Sequence, residues 1–455
     1  MKIHTRYRVA FISLLLLPWT ATMSAIDIEI DVSTATNTPE AAVAAAIFDF
    51  CPKIQGYPNA SDDTIELARV CQAIENAPAT ETEEAYRDLS ARSATSILTM
   101  MTRGPGSQSV EVLDSRLAAL RRAAANMTTA KFNMEFNGQQ LPDSYVADLL
   151  NYASGGAASA DSLGSKWSGF LTGTYTNSEQ TETATLAGFE GDTASLVVGA
   201  DYRIDNNSFA GVAARLLSSD VKLDDNAGSL DAFDTNITLY GTTYTGENIY
   251  VDGTVYYGHD RFDLERDLKF VVNNAITNEQ VIVNDRANGD TIGNQVGASV
   301  GLGYDLVVGR SFVTQFSGKL RYGSAKIHAY EETNATGLNL NINKQEIDTT
   351  NFKLGASISN AFSFSWGVIA PQFDAFWIHE FITAGEKVTA SFVADPFNTK
   401  FTFTTEDLDS DYFTASLGAV LMVPGGFTAF LQYETYIDYE NYDQSMLSLG
   451  ARMEF

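Results

Sequence analysis

Apolar residues along this chain change their spacing once. From Pro39 to Met127 they recur at three- and four-residue intervals in "PEAAVAAAIFDFC", "SDDTIELARVCQAIENA", "TEEAYRDLSARSATSILTMM" and "SVEVLDSRLAALRRAAANM". That spacing lays one helix face on a core. Ser61 ahead of Asp62 and Asp63, and Thr82 ahead of acidic residues, predict helix N-termini. The stretch "SGGAASADSLGSK" at 154–166 is small, Gly-rich and Ser-rich, and reads as a linker. From Trp167 the period becomes two. "SLVVGADYR" sets Leu196, Val198, Ala200 and Tyr202 against Asp201 and Arg203. "VGASVGLGYD" and "NFKLGASIS" repeat the alternation.

About twelve such segments are predicted, near 167–176, 194–204, 208–222, 233–246, 248–263, 290–307, 311–328, 345–360, 363–381, 408–422, 425–438 and 444–455. "DNNS", "TGEN" and "VPGG" read as short turns. "DDNAGSLDAFD", "NNAITNEQVIVNDRANGD" and "EETNATGLNLNINKQ" read as long polar loops. Short turns at one end and long loops at the other are the layout of a transmembrane barrel.

The two strand faces separate a barrel from a soluble sandwich. One is Gly, Ser, Asp, Lys, Arg, Gln and Glu in strand after strand, which suits a wet lumen rather than a packed sheet-on-sheet core. The other carries Tyr202, Tyr257, Tyr304, Tyr322, Trp377, Tyr433 and Phe455, as interfacial aromatic girdles would. Lipid leaves no partner for an open sheet edge, so the strands have to close. The expected fold is membrane all-β, an antiparallel transmembrane β-barrel of about twelve strands preceded by a short α-helical region.

A wet interior holding charge needs ion partners. The expected lumen set pairs Arg203, Arg215, Lys319, Arg321, Lys353 and Arg452 with Asp201, Asp252, Asp305, Asp374, Glu380 and Glu434. The last strand alternates Leu447, Leu449, Ala451, Met453 and Phe455, which reads as both lipid contact and an insertion signal.

The N-terminus adds a compartment. "MKIHTRYR", the apolar "VAFISLLLLPWTA" and small residues to Ala25 follow the layout of a cleaved secretory signal. Export allows the two cysteines, Cys51 and Cys71, to pair, with a turn near Gly56–Ser61 bringing two helices together. Two cysteines with distant histidines make no zinc site. The formal charge of −28 argues against nucleic acid. The mean hydropathy of −0.09 suggests no helical membrane protein. The barrel histidines His259, His328 and His379 converge on no nucleophile, so no catalytic residue, cofactor or metal is expected.

Together "GADYRIDNNSFAGVAA", "ITLYGTTYTGENIYVDGTVYYGHDRFD", "VGLGYDL", "SWGVIAPQFDAFWIHEF", "FTFTTEDLDSDYFTASLGAV" and "LSLGARMEF" resemble the C-terminal translocator barrel of the autotransporter (type V secretion) family, in family order over most of 167–455. The resemblance implies a monomeric outer-membrane barrel through which an N-terminal region reaches the cell surface, a helix remaining in the lumen. It also implies contact with lipid and lipopolysaccharide, periplasmic chaperones, and an outer-membrane assembly machinery that reads the last strand. The helix candidate is "VEVLDSRLAALRRAAANM", with Arg116, Arg121 and Arg122 toward the lumen acids. The departure is the absence of a long repetitive passenger.

The expected organisation is a signal peptide at 1–25, a helical region at 26–130 (short passenger or plug), a linker at 131–166 and the barrel at 167–455. The alternative is a porin-like channel or structural barrel with a periplasmic helical domain.

Overall fold

A computed structural model describes residues 38–103, 135–136, 139–140 and 167–453, apart from 206, 247, 309–311, 365 and 424–426. The signal segment, Arg116, Arg121, Arg122 and Phe455 lie outside the described residues.

Four helices come first: α1 (Pro39–Ile54), α2 (Asp62–Glu75), α3 (Ala79–Leu89) and α4 (Thr95–Thr102). Thr38 caps α1, its Oγ1 accepting from the Ala41 N–H at 3.3 Å, with Pro39 in the first turn. Ser61 caps α2 at 3.1 Å from the Thr64 N–H. The expected start at Thr82 is corrected. Pro78, held extended, precedes a helix that begins at Ala79, and Thr82 lies within its first turn. Cys51 on α1 and Cys71 on α2 form a disulfide with Cα atoms 5.6 Å apart.

The strands follow. β1 (Glu135–Phe136) and β2 (Gln139–Gln140) make a two-residue ladder inside the stretch read as a linker. Then come β3 (Trp167–Gln180), β4 (Phe189–Arg203), β5 (Ser208–Leu223), β6 (Gly228–Tyr244), β7 (Ile249–Asn274), β8 (Glu279–Val308) and β9 (Phe312–Ile327). β10 (Tyr330–Glu331), β11 (Leu340–Ile342), β12 (Gln345–Asn360), β13 (Phe362–Phe364), β14 (Gly367–Glu380), β15 (Lys387–Phe392) and β16 (Phe401–Thr404) are next. β17 (Asp411–Val423), β18 (Phe427–Ile437) and β19 (Tyr442–Met453) end the chain's described part.

Twelve of these, β3 to β9, β12, β14 and β17 to β19, form a closed antiparallel barrel in chain order. It is sealed by β12 on β14 and by β19 on β3, where Ala451 faces Leu171 and Leu447 faces Tyr175. β13 lies beside β14, and β10, β11, β15 and β16 make a separate four-stranded sheet built from the loops after β9 and β14.

Two expected loops are strand instead. "DDNAGSLDAFD" belongs mostly to β6, and "NNAITNEQVIVNDRANGD" is divided between β7 and β8, leaving a tight turn near Thr277. The reason is an inversion of sidedness along the same strand. On β7 the outward residues Ile249, Val255 and Tyr257 are exposed and apolar, while the inward Asp252 and Thr254 are buried. Beyond Asp260 the inward residues become Phe262, Leu264, Leu268, Phe270 and Val272, all buried, and the outward ones become Arg261, Asp263 and Glu265. β5, β6 and β8 switch at the same level. Lipid faces the wall below that line and water faces it above. From Ile249 to Tyr257 is about 26 Å of strand at ~3.3 Å per residue. At a tilt of about 40° that gives a band about 20 Å tall, near the ~25 Å of outer-membrane barrels.

Candidate functional site

The site is the barrel interior together with what closes its loop end. Asp201, Arg203, Arg215, Asp252, Asp305, Lys319, Lys353 and Glu380 are buried on the inward face, with Arg321, Asp374 and Glu434 half-buried beside them. Lys319 pairs with Asp252 at 3.0 Å. Arg215 pairs with Asp234 at 2.8 Å, an acid the sequence reading missed although it sits at the same strand parity.

Neutral donors hold many of the acids. Tyr240 donates to Asp201 and Tyr244 to Asp305. Gln315 donates to Asp305 at 2.7 Å, and Gln295 bridges Asp234 and Asp260 at 2.8 Å each. Asp374 accepts from Ser416 and Gln432, and Glu380 from Asn351 and Tyr412. Lys353 lies 4.7 Å above the Phe376 ring and Arg203 6.0 Å from that of Phe209. The wall is thus a hydrogen-bonded lattice in which carboxylates lean on phenols and amides as well as on cations. Arg452 lies on β19, its backbone opposite Thr428.

Among the described residues no histidine takes part in the interior. His259 faces outward, its Nδ1 3.1 Å from Asn294, and His379 Nδ1 lies 2.9 Å from Asp411. Both are cross-strand contacts on the outer wall. Among the described residues no group of three His, Cys, Asp or Glu side chains could hold a metal ion.

The four helices sit on the loop end. α3 lies along the edge of β7 above the band: Asp88 accepts the Lys269 N–H at 2.7 Å and Glu81 the Asn273 N–H at 3.0 Å. The Ala275 N–H then reaches the Asn76 carbonyl at 3.1 Å. Buried Arg266 donates to the Asp88 and Leu338 carbonyls and pairs with Glu332. Arg87 reaches Glu182 and Asp225, and Arg92 reaches Glu40 and Glu182. Burial, helped by neighbouring Glu84, pushes the Asp88 carboxyl up to about 6, against the pull of the Lys269 N–H and of Arg266 and Arg87.

Arg103 marks where the described helical region stops. Buried, it donates to Gln180 at 3.2 Å and lies 5.5 Å from the Tyr439 ring. Gln180 is the inward residue at the loop end of β3, whose other end is Trp167. The last described residue of the helical region is therefore at the lumen mouth, and the first barrel residue is at the opposite rim.

An acidic row crosses the outer wall just above the band. Asp192, Asp220, Asp231, Asp263 and Asp290 stand directly opposite one another on β4 to β8. Asp231 and Asp263 are held above the usual carboxylate range, first by partial burial and then by acidic neighbours, Asp220 for one and Asp290 for the other.

The family model for the autotransporter beta-domain matches residues 169–434. Among curated relatives, outer membrane protein B of Rickettsia japonica is 25% identical over 209 residues, covering 45% of this chain and 12% of the relative. Outer membrane protein A of Rickettsia conorii is 23% identical over 361 residues, covering 76% of this chain and 17% of the relative. The chain thus spans a small part of the length of the relatives it matches. The solved translocator domain of the autotransporter NalP from Neisseria meningitidis superposes with a TM-score of 0.51 at 15% identity, over 67% of this chain and 99% of that one. That likeness speaks to the fold.

Proposed function

The chain belongs to the autotransporter β-domain family, and from that premise we propose that its barrel carries its own N-terminal helices across the outer membrane and keeps them outside. The observation that carries this is the pair of ends just described. Arg103 sits at the loop mouth beside Gln180, while β3 starts at the opposite rim with Trp167. In outer-membrane barrels the longer loops face outward and the short turns face the periplasm. A chain joining these two ends around the outside would have to cross lipid, where unpaired backbone is excluded. The lumen, lined by hydrogen-bonding groups, is the route that avoids this cost.

On this reading the interior lattice is a conduit wall, and the chain has no reaction of its own to catalyse. The barrel works as a monomer in lipid and lipopolysaccharide. The outward face of β19, with Leu447, Leu449 and Ala451, is what the assembly machinery engages after periplasmic chaperones deliver the chain. The region from 26 to 130 is the transported part.

An epitope tag placed after Val32 tests the proposal. Antibody should reach it on intact cells. Access only after the outer membrane is broken would reject export, and the chain would then be a structural or porin-like barrel with a periplasmic helical domain.

A further inference from the structure

The helices do not carry a core that could serve them alone. The buried stripe of α1 (Val43, Ile47, Phe50, Ile54) belongs to one continuous apolar cluster with β7, β8 and the loop sheet. Phe50 packs on Phe392 at 5.6 Å between ring centroids, and Phe392 on Phe401 at 6.0 Å. The loop sheet has strands of two to six residues. An isolated sheet so small is marginal in water unless one face is covered. Here α1 covers it.

Three further contacts join the helices to the loops through backbone groups. The Thr64 hydroxyl at the start of α2 donates to the Ala394 carbonyl at 3.0 Å in a buried position. Gly337, with φ +73°, lets its loop approach the same turn, and a Cβ there would stand 2.6 Å from the Asp63 carbonyl oxygen. Finally, α3 supplies acceptors to β7 at residues 269 and 273, closing an edge that would otherwise offer free N–H groups to any passing strand.

A segment built for release would bury its apolar face within itself and meet the barrel through a polar rim. The opposite is present, since each side completes the other's core and hydrogen bonds. We propose that the helical region is a permanently seated cap, held on the barrel loops as a subunit is held in an obligate complex, and that it remains there after the covalent connection is cut. The exported segment is then the finished surface structure of this protein rather than cargo for shedding. The export reading decides only the side of the membrane on which the cap sits; the seating stands on the contacts themselves.

The test uses the full chain purified in detergent, where both barrel ends are accessible, with a protease site inserted after Gly106. After cutting, the fragment ending there should co-elute with the barrel on size exclusion and separate only in denaturant. The same protein carrying Phe50→Asp should lose the fragment after cutting, while heat-modifiable migration shows that the barrel is still folded. A fragment that leaves the folded unsubstituted barrel would overturn the proposal, as would a Phe50→Asp fragment that stays. In the uncut wild-type chain, α1 and the loop strands β15 and β16 should exchange amide hydrogens as one unit. Helices that open while the loop sheet stays protected would also overturn it. Neither readout depends on the side of the membrane, so a failed cap and a failed export reading are distinguishable.

Discussion

Glu332→Gln removes one charge of the buried ion pair between Arg266 on β7 and Glu332 just after β10, the guanidinium that also holds the end of α3 through the Asp88 carbonyl. Arg266 is 4% exposed and Glu332 6%, and the guanidinium meets both carboxylate oxygens, with the Nε bond at 3.0 Å. Glu332 also accepts the Leu340 N–H at 2.9 Å, so the pair fixes the loop as well as the helix end. Removing one charge from a buried pair leaves the other uncompensated and costs about 3–5 kcal/mol. The amide oxygen of glutamine can still accept one bond, and the Asp88 and Leu338 carbonyls remain, so the lower end, about 3 kcal/mol, is expected. A tenfold change corresponds to about 1.4 kcal/mol, so the opening constant should rise roughly 100-fold. Native-state hydrogen exchange of peptides spanning 267–275 reads this directly, because the Lys269 and Asn273 amides are the ones held by α3. Protection should fall by about two decades there and stay unchanged in β17 and β18. Protection within threefold of wild type at 267–275, or an equal fall around the whole barrel, would refute the reasoning.

Replacing both Cys51 and Cys71 by serine should cost about 3 kcal/mol from the chain entropy of a closed loop of about 20 residues, seen as a lower urea midpoint for helix exchange with the barrel unaffected. Leu417→Arg places a cation on the lipid face of β17, where Leu417 is 64% exposed. It should lower folding stability in liposomes by about 2–4 kcal/mol, while the same change at outward-facing Ser218, level with the polarity switch, should cost far less. Asp231→Asn removes the middle of a row of directly opposed carboxylates and should stabilise the loop end by about 0.2–1 kcal/mol, measurable as a higher thermal midpoint at low salt. Asp88 sits at about 6 when the cap is docked, against an ordinary value of 3.8. Its contribution is therefore fully present below about pH 4 and lost as pH rises through 6. Protection of the 267–275 amides, corrected for intrinsic exchange, should weaken between pH 5 and 7.5, and Asp88→Asn should flatten that change.

Much of the barrel was readable because lipid favours period two over each crossing. β12 spans 345–360 and β5 ends one residue past its expected limit for this reason. The upper halves of β7 and β8 were not readable as strand. Polar residues at 264–274 and 279–289 look like loop when every apolar face is assumed to meet lipid. The alternation is still there, "HDRFDLERDLKFVV", with its sign reversed. A search for strands that keep their period while exchanging faces would have found the water line. Similarly, the lumen inventory counted cations against acids and passed over Tyr240, Tyr244, Gln295 and Gln315, neutral donors that only the register brings to Asp201, Asp234, Asp260 and Asp305. Long-range pairing of the helices with the loops leaves no local mark, so the cap could be seen as helices and not as a cap.

The most direct measurement is a cross-link on living cells between Glu81→Cys on α3 and Asn273→Cys on β7, in the Cys51→Ser, Cys71→Ser background. Those two positions meet only if the helices have reached the outer end of the barrel. A membrane-impermeant bifunctional thiol reagent should join them in intact cells, giving a looped species that migrates anomalously on a denaturing gel. A chain that stays unlinked in whole cells, while the thiol introduced at position 273 takes up an impermeant monofunctional label, would contradict it.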